Sequence, residues 1–405
     1  MRQNLALSFI LITVMIDAIG IGLIYPVMPD LMVEVTGRSL ADAAIWGGVL
    51  TTAFAVMQFL GSPVVGNLSD RFGRRPVLLV SLAAMALDYV LMALAHTVWL
   101  LLIGRVIAGI TAATHSTANA YVADISTPDE RGRRFGLIGA AYGAGFVAGP
   151  MLGGMLAGID ARAPFWGAAL LAAANLAFGL IVLPESLAAT LRRPFSPVRA
   201  NPLASFTAIR RLPGLKTLLA VTFLYAVTFN VWPAIWSYFG KAAFGWDAWR
   251  IGISLAIFGI CMAITQATLV QPAISRFGER RTALIGMWGE TLTYGFYAIV
   301  TSGTLALAFT PVTAIGGLAG PALQAMMSRA TPEDQQGELQ GIAASLNALA
   351  MILSPLLMTA IFGHFTRPGA AFHWPGAPFL AAALLMVAAV AVFVAKPRAA
   401  ARPRP

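Results

Sequence analysis

Four charged residues lie deep inside long apolar runs of this sequence: Asp17, Asp88, Arg105 and Glu290. Charge at bilayer depth costs at least about 2.5–3.5 kcal/mol on insertion scales, so residues placed there are paired, functional or both. Three of the four are carboxyls. A buried carboxyl can hold a proton near neutrality and release it when a cation approaches or water enters. The chemistry on offer is proton exchange, with Glu290 or Asp17 as the expected carrier, Asp88 as a further coupling acid, and Arg105 setting how readily the proton is given up. Alternatives stand beside two of these roles: Asp88 as half of a local structural pair, and Arg105 as a buried packing anchor. His115, in "ATHSTANAY", can also titrate near neutral pH, or it can be a polar packing residue bonded to a hydroxyl or carbonyl.

The elements that position these residues are membrane helices. The chain has 405 residues, 58% of them hydrophobic and 11% charged, with a mean hydropathy of +0.77. One helical crossing of a bilayer needs about 20 apolar residues. Runs of that kind cover 5–29, 45–65, 77–96, 98–121, 135–158 and 164–183, then 215–239, 250–270, 282–301, 303–327, 338–361 and 376–395. The expected fold is an all-α membrane protein with twelve transmembrane helices. The first run holds Asp17 and continues into "LIYPVMPDL" without a small-residue cleavage site, so it reads as a span and not a cleavable leader. The single Cys261 lies within an apolar run, which excludes an internal disulfide and a cysteine metal site.

Orientation follows from lysine and arginine in the short loops. With the N-terminus and every second loop on one side, that side carries 21 of the 27 basic residues and the other side 5, Arg105 being within a run. Both termini are therefore expected in the cytoplasm. The net charge of +10 reads as topology, not as a nucleic-acid surface, since no basic patch is interleaved with aromatics outside the loops.

The sequence also repeats. "SDRFGRRPVLLV" from Ser69 has a weaker echo in "SRFGERRTALIG" from Ser275, with Phe72 and Gly73 mapping onto Phe277 and Gly278 at an offset of 205. The same offset carries Pro150 onto Pro355, and "TPDERG" returns as "TPEDQQG" at 204. Two six-helix pseudo-repeats are expected, at 1–184 and 215–405, joined by a basic cytoplasmic linker at 185–214. Paired bundles of this kind rock about a site at the membrane midplane.

One loop concentrates charge. "GNLSDRFGRRP" contains Gly66, Asp70, Arg71, Gly73, Arg74, Arg75 and Pro76 between the second and third runs. Glycine permits a tight reversal and proline suits the first turn of a helix. Positive-inside anchoring accounts for the arginines but not for Asp70. An acid beside arginines at a helix junction can pair across a moving interface or cap a helix N-terminus. The loop is expected to be a cytoplasmic gate that latches in one state and breaks in the other.

The spacing G-x-x-x-D-R-x-G-R-R resembles the signature of the major facilitator superfamily. "GRVIAG" at 104–109 agrees with it, and "GAGFVAGPMLGG" at 143–154 resembles the G-x-x-x-G-P-x-x-G-G motif of drug–proton antiporters. In that motif Gly145, Gly149, Gly153 and Gly154 would let helices approach closely, and Pro150 would set a bend. "DAIGIGLIYPVMPDL", "LDYVLMA", "GRVIAGITAAT", "GPALQAMMSR" and "QGELQG" further resemble the tetracycline efflux antiporters of Gram-negative bacteria. The resemblance implies exchange of a magnesium–tetracycline chelate for an incoming proton at the inner membrane. The protein itself would bind no cofactor or metal, with Mg2+ travelling on the drug. Small drug molecules, protons and the bilayer are the implied partners, with no nucleic acid and no obligate protein partner.

The family's acids in helices 1, 3 and 9 fall on Asp17, Asp88 and Glu290, and its helix 4 arginine on Arg105. Departures bear on substrate: Glu290 replaces an aspartate, Met262 a proton-coupled histidine, Val231 a glutamine, and His115 a glycine. Gln58, Asn119, Asn230, Trp232, Trp236, Gln266, Tyr294 and Gln324 could offer polar and aromatic surface to a flat, chelating drug, or could pack helices. The altered helices 7 to 9 leave open an exporter of another drug, a siderophore or a metabolite. A membrane enzyme or sensor is disfavoured, since no metal cluster, nucleophile triad or soluble domain is present.

Overall fold

Inside a bilayer a chain must satisfy its own backbone polar groups, and helices do so segment by segment. The computed structural model, which describes residues 2–112, 114–197, 200–202 and 213–395, is helical throughout its ordered elements. Twelve long helices follow one another among the described residues: α1 Arg2–Ile24, α2 Leu40–Phe72, α3 Arg74–Leu94, α4 Val98–Asp124, α5 Pro128–Ala157 and α6 Ala163–Val182. The second half supplies α7 Lys216–Phe244, α8 Ala248–Phe277, α9 Glu279–Ile299, α10 Gly303–Ala330, α11 Gln336–Thr366 and α12 Ala377–Ala395. Eleven are long and apolar enough to cross a membrane. The remaining one, α9, is diluted by Glu279, Arg280, Arg281 and Glu290, but its 21 residues pack between α10 and α12 as the twelfth span. The linker residues Arg199, Arg210 and Arg211, and the tail residues Lys396, Arg398, Arg402 and Arg404, lie outside the described residues, as does the side chain of Arg2.

Proline marks several departures from the expected runs. The first run does not reach residue 29. It ends at Ile24, because Pro26 restricts the residue before it and lacks an N–H. A separate helix, Met28–Thr36, follows with proline in its first turn, and it stops at Gly37 in the left-handed conformation (φ 62°). In α7 the ring of Pro233 would clash with the carbonyl of Phe229 four residues earlier. The helix accordingly divides into Lys216–Phe229 and Val231–Phe244. The fourth span also divides, into Val98–Thr111 and Thr114–Asp124.

Glycines bring α5 against α1. A Cβ on Gly149 would fall 2.6 Å from the Ile19 carbonyl oxygen, and Gly145 and Gly153 face the Met15 and Leu23 carbonyls in the same way. These three recur every fourth residue and so share one helix face. Gly154 looks elsewhere, towards the Ala248 carbonyl oxygen at 2.8 Å, and Gly252 meets the Pro150 carbonyl. The glycine-rich motif thus serves two contacts, α5 on α1 within a half and α5 on α8 between halves. The second junction between halves is α2 on α11.

The repeat extends to tertiary contacts. Gly73 (φ 107°, ψ 163°) and Gly278 (φ 76°, ψ 161°) adopt similar backbone conformations between consecutive helices. Arg71 lies over the Phe72 ring at 5.1 Å and Arg276 over the Phe277 ring at 5.7 Å. An ion pair joins Arg74 to Asp124 at 3.0 Å, and at the offset of 205 Glu279 pairs with Arg329 at 2.7 Å. The second pair has its signs exchanged.

The two faces of the molecule differ. On the side away from the linker the halves are bolted together. Lys241 Nζ meets Asp30 at 2.5 Å, the Ser237 hydroxyl donates to the Tyr25 carbonyl at 2.7 Å, and Gly363 packs on Ile45. On the linker side, Gly132, Gly136, Gly139 and Gly143 of α5 have no atom of the described residues within 4 Å of where a Cβ would stand.

Candidate functional site: a charged and aromatic cavity between the halves

A cavity of about 320 Å³ lies between the halves, with Asp17, Asp88, Arg105 and Gln58 on its wall. The lining is unequal. The second half contributes Pro233, Ala234, Ser237, Tyr238 and Met351, while α1 to α5 supply the rest together with Tyr25 and Met28 just after α1. At the offset of 205, the second half has Thr222, Thr293 and Thr310 where the first has Asp17, Asp88 and Arg105. The charge sits in one half.

Arg105 of α4 is ion-paired with Asp88 of α3, which is 2% exposed. The same guanidinium also contacts the Met92 sulfur at 3.0 Å and lies over the Phe54 ring at 5.6 Å. Gly104 makes room for the acid, since a Cβ there would stand 2.6 Å from Asp88 Oδ1. Asp17 of α1 is 9% exposed and faces the Thr114 hydroxyl across the α4 break, while its Oδ1 makes no hydrogen bond. The site therefore holds an ion pair, whose Asp88 Oδ1 and Arg105 Nε make no further hydrogen bond, and a second carboxyl, Asp17, whose Oδ1 is an open acceptor.

Glu290 stands apart from this cavity, although the sequence groups it with the other acids. It is 2% exposed within the second half, against the Trp232 indole and the Tyr294 hydroxyl. Its Oε2, the Trp232 Nε1 and the Tyr294 hydroxyl make no hydrogen bond. Any side chain at Gly316 would collide with the Glu290 carboxyl, so the first glycine of "AIGGLAG" is what admits it, while Gly317 faces Met262.

Of the expected drug-contacting residues, Gln58 reaches the cavity wall and the others do not. Asn230 turns its amide to the Ala226 carbonyl at 2.8 Å, where α7 divides. Trp232 is packed among Phe258, Tyr294, Tyr297 and Phe379, and Trp236 donates to the Ser254 hydroxyl at 2.8 Å. Gln266 bonds the Gly317 carbonyl at 3.3 Å and Gln324 bonds Gln340 at 3.2 Å. Asn119 is half-buried on α4 away from the cavity lining. The side chain of His115 lies outside the described residues. The reason is common to most of them: a polar or aromatic residue in a helix has several faces to occupy, and helix packing claimed these. Missed instead were Tyr25, Phe54, Tyr89, Tyr142 and Phe146 on the wall. Gly139, Tyr142, Gly143 and Phe146 do share a helical stripe, which was the readable cue.

The charged stretch is a helix junction and not an extended loop: α2 runs through Phe72 and α3 starts at Arg74, so Gly73 alone turns the chain and Gly66 lies inside α2. Asp70 pairs with Arg74 at 2.7 Å, and Arg74 continues to Asp124. Asp70 does not cap α3. Glu185 does, accepting from the backbone N–H groups of Arg74 at 2.8 Å and Arg75 at 3.2 Å, where the helix dipole favours an anion. Any side chain at Gly73 would collide with that carboxylate, and Arg75 is held by the Leu180 carbonyl at 2.8 Å. Gly66 has nothing within 4 Å of a Cβ position. The linker's first residues bind here as well. Arg193 N–H donates to the Asp70 carbonyl at 3.0 Å, and the Asn67 amide donates to the Ser196 carbonyl at 2.7 Å.

A family model described as Major Facilitator Superfamily matches residues 10–239 and 217–405. The chain belongs to the major facilitator superfamily. Within that superfamily it is 43% identical over 386 residues to the class C tetracycline resistance protein of Escherichia coli, covering 95% of each chain. It is 40% identical over 388 residues to the class G protein of Vibrio anguillarum, again covering 95% of each. Among solved structures, the nucleoside transporter NupG superposes with a TM-score of 0.77 at 13% identity, covering 97% of this chain and 98% of that one. At that identity the likeness establishes the twelve-helix fold shared by this superfamily, and nothing about cargo.

Proposed function

We propose that the protein is a proton-driven exporter of tetracycline in the bacterial inner membrane, with both termini in the cytoplasm and the drug carried as its Mg2+ chelate. The observation that carries the reading is the cavity. In a chain so similar to tetracycline resistance proteins, it lies between the halves and holds a buried carboxyl beside a neutralised arginine. Asp17 is the group that exchanges a proton for the cationic chelate. Its open acceptor faces the cavity, and a proton and a cation cannot both occupy one carboxylate. The Asp88–Arg105 pair holds the local charge at zero, so that proton loss from Asp17 is felt by the substrate and not cancelled. Glu290 is a second proton-carrying carboxyl, in a packed box that substrate does not enter. The loop from Gly66 to Pro76 is the gate on the linker side, with Asp30 and Lys241 holding the opposite face closed while drug is loaded. Everted membrane vesicles test this. Tetracycline accumulation should follow the imposed pH gradient and collapse with a protonophore; sodium-driven accumulation that survives the protonophore would sink it.

A further inference from the structure

The wall of the cavity opposite in character to the charged residues is aromatic, and its geometry is specific. Tyr142 and Phe146 lie four residues apart on α5, and their rings are within 16° of parallel with centroids 6.2 Å apart. Stacking face on face at that separation leaves the rings strongly offset, so both present area to the same side. Gly139 and Gly143 occupy the rest of the stripe, with nothing within 4 Å of either Cβ position. The rings are therefore flanked by bare backbone. Tyr25, in the turn that follows α1, meets Phe146 edge-on, at 6.0 Å and 67°, and fixes that ring's tilt. Both α5 rings and Tyr25 line the same cavity as Asp17, whose nine-tenths buried carboxyl has an unpartnered Oδ1.

We propose that Phe146 and Tyr142 are a stacking platform for the planar fused rings of the substrate, whose polar, cation-bearing edge points towards Asp17. The inference rests on the exporter reading above and adds to it the surface that selects for planarity. Aromatic side chains suit this task, because they offer large rigid area with few torsions to freeze on binding. Offset stacking on one ring is worth about three- to tenfold in affinity.

The test is equilibrium binding by the full-length protein in detergent, with two probes, Mg–tetracycline and the planar cationic dye ethidium, together with transport kinetics in vesicles. Phe146→Leu should weaken both probes by about three- to tenfold and raise KM with kcat little changed, since stacking is lost equally in ground and transition states. Phe146→Tyr, which keeps the ring, should stay within about twofold of the unaltered protein. Restoration by tyrosine separates a stacking role from a merely structural one. If Phe146→Leu binds both probes as tightly as the unaltered protein, the platform is overturned while the exporter reading stands. If the unaltered protein binds ethidium but not tetracycline, and Phe146→Leu weakens ethidium, the platform stands and the tetracycline reading falls. Binding of neither probe by the unaltered protein overturns the platform.

Discussion

Replacing Arg105 with glutamine leaves the Asp88 carboxylate, 2% exposed, without its cation. Breaking a buried ion pair from one side costs about 3–5 kcal/mol, because the remaining charge is uncompensated. The Arg105 side chain is 16% exposed and borders the cavity, which admits some solvent relief, so about 3 kcal/mol is expected for Arg105→Gln. Asp88→Asn should cost less, about 2 kcal/mol, since the guanidinium keeps the Phe54 ring and the Met92 sulfur. The double variant removes both charges and should cost only about 2 kcal/mol, leaving a coupling of about 3 kcal/mol. A double-mutant cycle on the unfolding free energy of the purified protein measures this directly. Additivity within about 0.5 kcal/mol would refute the pairing and the charge-neutral wall built on it. Transport separates structure from mechanism: the double variant should recover stability relative to Arg105→Gln without recovering gradient-driven accumulation.

Three further outcomes are expected. Glu290→Gln should keep tetracycline affinity near that of the unaltered protein, because the residue is off the cavity, yet lose uphill accumulation; vesicles that still pump with unchanged pH dependence would place coupling wholly at Asp17. Lys241→Met should shift the population towards the state open on the face away from the linker by about fivefold, as a half-exposed pair is worth about 1 kcal/mol. Distances between spin labels on the two halves in a Cys261→Ser background would report that shift, and an unmoved distribution would contradict the latch. Glu185→Gln should lower thermal stability through loss of the charged cap on α3, by about 1 kcal/mol, while leaving equilibrium drug binding intact; an unchanged Tm would count against the cap.

Much of the architecture was legible in the sequence, because the relevant physics is local. A bilayer demands apolar runs of a certain length, and the "RFG" echo at 71–73 and 276–278 returns as two loops with similar glycine conformations. Even the prolines at 26 and 233, which cut α1 and α7, act over four residues. The site was less legible. Asp17, Asp88 and Arg105 converge because their cost in a bilayer forces a shared, solvated or paired location. For Trp232 and Tyr294, which could offer drug surface or pack helices, nothing in their spacing says which of two helix faces meets the cavity and which meets Phe379 or Glu290. Glu185 was invisible as a cap for a different reason. Its partners are backbone groups 110 and 111 residues away, and only the folded linker brings them together.

The account's central claim is an exchange of drug for protons, and proteoliposomes containing only this protein and an internal pH dye test it most directly. With Mg–tetracycline moving down its own gradient into the liposomes, protons should leave through the protein and raise the internal pH. Asp17→Asn should abolish that proton flux while the protein remains folded. Tetracycline entering at the same protein-dependent rate with no accompanying proton movement would contradict the claim.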